Sequence, residues 1–159
     1  MVDPGQTSPQ QLAALESAAK LRGVDISVHR AGTRDEIAPA IDAAKASGAA
    51  ALNVLATPLF FANSPILIER TIATSFPAMF QWPDMAERGG LIAYGPSLER
   101  IFREISARQI AKVLRGAKIA DVPIELPTKF DLVINLKTAK ALGLKVSETF
   151  LLRADKLIE

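Results

Sequence analysis

The chain has 159 residues, 49% apolar and 23% charged, a balance that fits one globular domain with a buried core and excludes wholesale disorder. Nineteen Lys and Arg against 17 Asp and Glu leave a net charge of +2 with no basic run, and Cys is absent, so no nucleic-acid partner is expected and disulfides, thiolate metal sites and cysteine nucleophiles are excluded. No apolar run reaches the roughly 18 residues of a membrane span, and residues 1–20 lack the basic start and apolar stretch of a signal peptide, so the expectation for the chain expressed alone is cytoplasmic.

Ser8-Pro9-Gln10-Gln11 predicts a helix start. Ser8 caps, Pro9 suits the first turn, and Gln11 reaches back as in a capping box. Leu12, Leu15 and Ala19 share one helical face, and Gly23 ends the helix. Val24, Ile26 and Val28 alternate as in a strand. Thr33 to Glu36 reads as a second capping box, with Ile37, Ile41 and Ala44 on the apolar face and Gly48 as the stop. Pro39 inside that helix predicts a kink or a late start. The run from Ala50 to Ala56 is expected as a parallel strand covered on both faces.

Asn63 offers a cap for a third helix over Ile66 to Thr74. Ala78 to Trp82 is the next strand, and Pro83 to Arg88 a short helical turn closed by Gly89-Gly90. Leu91 to Tyr94 is strand-like. Gly95-Pro96-Ser97 then turns into a long helix reaching about Arg115, with Leu98, Ile101, Phe102 and Ile105 as its first buried face. Gly116 to Pro127 is an irregular connection. Phe130 to Asn135 is a strand, Lys137 to Leu142 a helix stopped by Gly143, and Ser147 to Glu159 a partly helical tail. The alternation predicts an α/β fold, a mainly parallel sheet with helices on both faces.

In such sheets, ligands sit beyond the carboxyl ends of the strands. That rule selects Thr57 to Phe60, Gln81-Trp82 and Tyr94 to Ser97, where the only Trp and the only Tyr fall. Trp82 and Tyr94 can stack on a planar ligand, and Thr57, Gln81 and Ser97 can hydrogen-bond it. The competing reading is that both aromatics merely cap the core. His29, the only histidine, has no acidic neighbour and reads as structural, which leaves no histidine-based metal site or catalytic constellation. Neither Gly89-Gly90 nor Gly95-Pro96-Ser97 matches a phosphate loop, so no cofactor is expected. Arg100 and Arg103, one turn into the long helix, are positioned to meet a carboxylate ligand or another lobe.

The string PTKFDLVINLKTAKALGL (Pro127–Leu144), the preceding segment from Gly90, the tail LLRADKLIE and the stretch from Leu55 to Asn63 together resemble the ABC-transporter substrate-binding proteins. The resemblance covers essentially the whole chain and implies a periplasmic-binding-protein-like fold, in which two α/β lobes close on a small molecule that a permease and ATPase import. By that likeness residues 1–96 are the second lobe, 97–127 a helix and connection that cross to a first lobe, and 128–159 the return and tail. The first lobe is expected to be missing, the chain beginning after the first strand of the second.

The same likeness implies a periplasmic location, an ABC permease partner, and an amino acid or aromatic acid as ligand; the loops it carries over, Thr57 to Phe60, Gln81-Trp82 and Tyr94-Gly95-Pro96, are those the strand-end rule selects, which makes Thr57, Phe60, Gln81, Trp82, Tyr94 and, by that rule, Ser97 the expected ligand-binding residues. Thr57 stands where the family often has Asp. The long helix would lack its usual cover, which predicts a homo-oligomer. The alternatives are an oligomerising remnant without a specific ligand and an α/β enzyme; the missing catalytic constellation opposes the enzyme.

Overall fold

The computed structural model describes residues 1–159. From the N-terminus run α1 (Pro9–Leu21), α2 (Arg34–Ala46), β1 (Leu52–Val54), α3 (Pro58–Ala62), α4 (Ser64–Ala73), β2 (Ala78–Phe80), α5 (Pro83–Glu87) and β3 (Ile92–Gly95). A helical arm follows: α6 (Leu98–Arg100), a π-helical stretch (Ile101–Ser106) and α7 (Ala107–Leu114), then a 3-10 turn at Ile119–Asp121. β4 (Asp131–Asn135), α8 (Leu136–Ala141), α9 (Glu148–Leu151) and β5 (Lys156–Ile158) complete the chain.

The strands form one sheet in the order β1-β2-β3-β4-β5. β1, β2 and β3 are parallel, β4 runs antiparallel to β3, and β5 is parallel to β4. The fold is therefore α/β with a mainly parallel sheet. β4 reverses direction because the chain returns to the sheet from the arm: Gly95 pairs with Asp131, so the arm leaves and re-enters at facing positions.

Short apolar strands and the inner faces of α2, α4 and α5 make the core, in which Ile37, Ile41, Phe60, Leu67, Phe76, Phe80 and Met85 are all 2% exposed or less. Burying each such side chain is worth about 1.5–3 kcal/mol. The Asn-Leu-Lys-Thr string supplies a polar buttress. Asn135 caps α8 by accepting from the Thr138 amide at 3.0 Å, and its Nδ2 donates to the Ala86 carbonyl at 3.0 Å. The Thr138 hydroxyl donates to the Gly89 carbonyl at 2.7 Å, and α8 is thereby fixed to the α5–β3 turn.

The capping box at Ser8 forms as predicted, with Ser8 and Gln11 bonded reciprocally. Other expectations are corrected. Val24 to Val28 is extended but is not a strand, because a strand exists only by pairing and this segment's single partner is the bridge from Arg30 to Val2. Thr33 makes no capping bond; the Glu36 carboxylate accepts the Gly32 amide at 2.8 Å instead. α2 starts at Arg34 and runs past Pro39 without interruption, with that ring exposed to solvent. β1 is shorter than predicted and alternates, with Leu52 and Val54 buried and Asn53 exposed, so only one of its faces is covered. An unpredicted helix, α3, begins after Thr57, and the tail contains the strand β5.

The largest correction concerns the arm. Leu98, Ile101 and Ile105 are only half-buried and Phe102 is 64% exposed, so the face predicted to be buried is only partly covered. The helical periodicity is present, and no element of the chain packs over it.

Candidate functional site

β1, β2 and β3 point their carboxyl ends the same way, and three turns meet there. A cavity of about 380 Å³ lies among them. Gln81, Trp82 and Tyr94 line it, together with Asn53, Met79 and Phe130. Tyr94 is half-exposed and packs beside Phe130, with ring centroids 5.8 Å apart and planes inclined by 33°. This offset pairing leaves aromatic surface open to a planar molecule.

Trp82 is fixed from the other side. Its ring meets Phe61 edge-on at 6.4 Å, and the Arg88 guanidinium covers Phe61 at 4.6 Å while donating to the Ser64 hydroxyl at 3.0 Å. The Trp82 Nε1 is buried and has no hydrogen-bond partner. Such an orphaned donor costs about 1–3 kcal/mol until something accepts from it. Gln81 lines the cavity with its Oε1 accepting the Ala56 amide at 3.0 Å, which ties the β1 and β2 ends together. Gly95 is required at the rim because a Cβ there would lie 1.9 Å from the Gln81 carbonyl oxygen.

Gln81, Trp82 and Tyr94 thus come together; the other candidates do not. Thr57 is buried and caps α3, its hydroxyl accepting the Phe60 amide at 3.2 Å. Phe60 is 1% exposed and belongs to the core. Thr57 is the cap and Phe60 the third residue of α3, which begins directly at Pro58, so neither side chain is left at an open strand end. Ser97 caps α6 through the Arg100 amide at 3.3 Å and lines a different cavity of about 470 Å³, between the arm and residues 125–129. That larger space is polar and most of its charges are matched: Arg108 bonds Glu125, and Arg100 forms a two-pronged pair with Asp131 at 2.9 and 3.5 Å, while Glu104 has no ion-pair partner. Arg103 pairs with Glu99 on the arm's surface. The smaller, more aromatic cavity has the make-up of a small-molecule site. His29 lies apart from both, 3.1 Å from the Ser27 hydroxyl.

Sequence reasoning missed Asn53 and Phe130. Asn53 carried a signal, a lone amide inside an otherwise apolar strand. Phe130 reaches Tyr94 only because β4 returns antiparallel beside β3, which the alternating pattern did not reveal.

A family model described as ABC transporter substrate binding protein matches residues 1–158. None of the curated proteins matches the chain. Among solved structures, the ABC domain in complex with L-Trp from Streptococcus pneumoniae superposes with a TM-score of 0.81 at 24% identity, over 94% of this chain and 50% of that one. A conserved domain protein from Vibrio cholerae O1 biovar El Tor gives 0.84 at 22%, over 98% and 52%. The ligand-free, open structure of a substrate-binding protein with adhesive properties from Clostridium difficile gives 0.64 at 19%, over 96% and 52%. The chain spans about half the length of these structures, and at these identities the likeness shows the fold.

Proposed function

The chain belongs to the family of ABC transporter substrate-binding proteins, and from that premise we propose that it takes part in solute uptake by binding an amino acid or another small aromatic acid, without covalent chemistry. The observation that supports this reading is the strand-end cavity with Trp82, Tyr94 and Phe130 around two amides, Asn53 and Gln81. The structural relative with L-Trp bound has the same fold. An aromatic ring lies against Tyr94 and Phe130. Thr57, Phe60 and Ser97 act indirectly, by holding α3 and α6 in place.

The cavity is open on one side, so this chain alone supplies only part of the cover that small-molecule sites provide. Binding is correspondingly weak, and an ABC permease is the functional partner, on the outer side of the cytoplasmic membrane. No helix is long and apolar enough to cross a membrane. The arm is the second contact surface: Phe102, Ile110 and Leu114 are 64%, 59% and 82% exposed, and self-association of the chain covers them. Sedimentation at micromolar concentration tests that part, a 159-residue monomer being the result against it.

Calorimetry with L-Trp, L-Phe, L-Tyr and aromatic acids tests the site. Trp82→Ala is expected to weaken the best ligand by about 1 kcal/mol, the scale of one aromatic contact. Equal affinity of a folded Trp82→Ala protein would remove this site from consideration.

A further inference from the structure

Beside the strand-end cavity lies a second one of about 430 Å³, between α1 and the end of β1. Ala56 and Gln81 line both, so the two spaces meet at the Gln81 side chain. Thr7, Gln11 and Leu15 bound the second space on the side of α1. Two of its amides are oriented by the backbone. A primary amide offers one acceptor oxygen and two N–H donors. A backbone N–H only donates, so the side-chain atom facing it must be the oxygen. The Gln81 Oε1 accepts the Ala56 amide at 3.0 Å, and the Gln11 Oε1 accepts the Ser8 amide at 2.9 Å within the capping box. Each oxygen is turned onto the backbone, and each Nε2 remains as a donor with no acceptor in the chain.

The charge pattern points the same way. No ionisable side chain lines the second cavity, and Tyr94 is the only one in the first. Asp3, upstream of Thr7 in the same loop, is buried with its Oδ1 accepting the Gly5 amide at 2.9 Å, and it lines neither space. Neither cavity therefore holds a carboxylate to pair with an ammonium. The first turn of α1 is not the source of donors, because the cap consumes the Ser8 and Gln11 amides and Pro9 has none. Two side-chain NH2 groups and the Thr7 hydroxyl, beside an aromatic wall, suit an acceptor-rich group joined to a ring. A carboxylate is the strongest such acceptor, since bonds to an ionised partner are about twice as strong as neutral ones.

We propose that Gln11 and Gln81 are the specificity-determining residues of the site and hold the ligand's carboxylate, one NH2 group on each oxygen, while the ring lies in the strand-end cavity. The inference rests on the binding role proposed above and deepens it: this face of the site reads an aryl carboxylate and does not read an amine, so an aromatic acid is recognised here whether or not it carries an amino group.

The test uses the full chain and three ligands with one ring: indole-3-propionate, L-Trp and tryptamine, titrated to millimolar concentration by calorimetry and ligand-observed NMR. Indole-3-propionate and L-Trp are expected to bind alike, and tryptamine, which lacks the carboxylate, at least about tenfold more weakly. Gln11→Glu and Gln81→Glu each keep an oxygen for the backbone amide and the capping box, so the fold is retained, but each turns a donor into a like charge. Each is expected to weaken indole-3-propionate by at least about tenfold. Gln10→Glu adds the same charge on the same turn of α1 at an exposed residue that lines neither cavity, and affinity should stay within about twofold, as for a solvent-screened charge. If indole-3-propionate binds and Trp82→Ala weakens it, but tryptamine binds equally well or either folded Gln→Glu variant matches the parent, this inference is overturned and the binding role stands. An equal loss in Gln10→Glu overturns it too, by showing a long-range charge effect. Absence of binding by all three indoles, or binding indifferent to Trp82→Ala, overturns the binding role and this inference with it.

Discussion

Two stretches of this chain are about equally apolar in sequence and fare differently in the fold. Residues 31–95 contribute most of the core, with α2, α4 and α5 closed over β1, β2 and β3, whereas no residue from 97 to 130 is buried. Phe80 is 0% exposed and Phe102 64%. Both lie on regular elements with apolar neighbours at the right spacing. The difference is that β2 is flanked by strands and roofed by helices, and the arm extends away from the sheet. A periodic pattern specifies that a face wants cover; it carries no information about which surface supplies it.

The comparison can be broken by substitution. The largest effect is expected at Gly95, where alanine would place a Cβ 1.9 Å from the Gln81 backbone oxygen. Because the clash is with backbone, Gly95→Ala should cost more than about 4 kcal/mol and leave little folded protein by circular dichroism. Gly116, in the connection after the arm, has open space around it and φ of +98°, so Gly116→Ala should cost only about 1 kcal/mol of backbone strain. Next comes the phenylalanine pair. Phe80→Ala is expected to lose about 3–5 kcal/mol in denaturant titrations, and Phe102→Ala to stay within about 0.5 kcal/mol at concentrations where the chain is monomeric. A large effect at Phe102 under those conditions would mean that the arm is covered within the monomer.

The N-terminus sharpens the contrast, because there a flank does enter the sheet. Burial lowers the Met1 amino pKa from 8.0 to about 6. Between pH 8 and 6 the unfolded chain takes up this proton and the folded chain resists it, so stability should rise by about 2 kcal/mol from pH 6 to pH 8. Thermal melts across that window measure the rise, and acetylation of the amino group should flatten it. The smallest effect compares two caps. Thr57→Ala removes the cap of α3 in the packed region and should cost about 1 kcal/mol. Ser8→Ala removes the equivalent bond from α1, which buries no residue, and should shift global stability by less than half as much while fraying α1 in hydrogen exchange.

Local chemistry was legible in the sequence. The Ser8-Gln11 capping box, the glycine stops at 23, 48 and 143 with positive φ, and the alternation of helix and strand all follow from short-range rules. So did the meeting of Gln81, Trp82 and Tyr94, since parallel strands align their carboxyl ends. Thr57 and Phe60 were misplaced because helix α3 starts directly after Thr57, at Pro58, where a loop was expected. Val24 to Val28 has strand-forming residues and no partner to make it one, a property of the whole sheet. The reversal at β4, and with it the contact of Phe130 with Tyr94, depends on where a long excursion returns. No residue within β4 encodes that.

The facing positions of Gly95 and Asp131 give that excursion an unusual genetic freedom. In topological terms β3 and β4 are a hairpin, and everything from Pro96 to Phe130 is its loop, latched at the base by Arg100 on Asp131. Since the cost of closing a loop grows only with the logarithm of its length, such a loop can be lengthened, shortened or exchanged by recombination with little consequence for the sheet that carries it. The sheet and the arm can therefore diverge at separate rates, one constrained by packing and the other by whatever it touches.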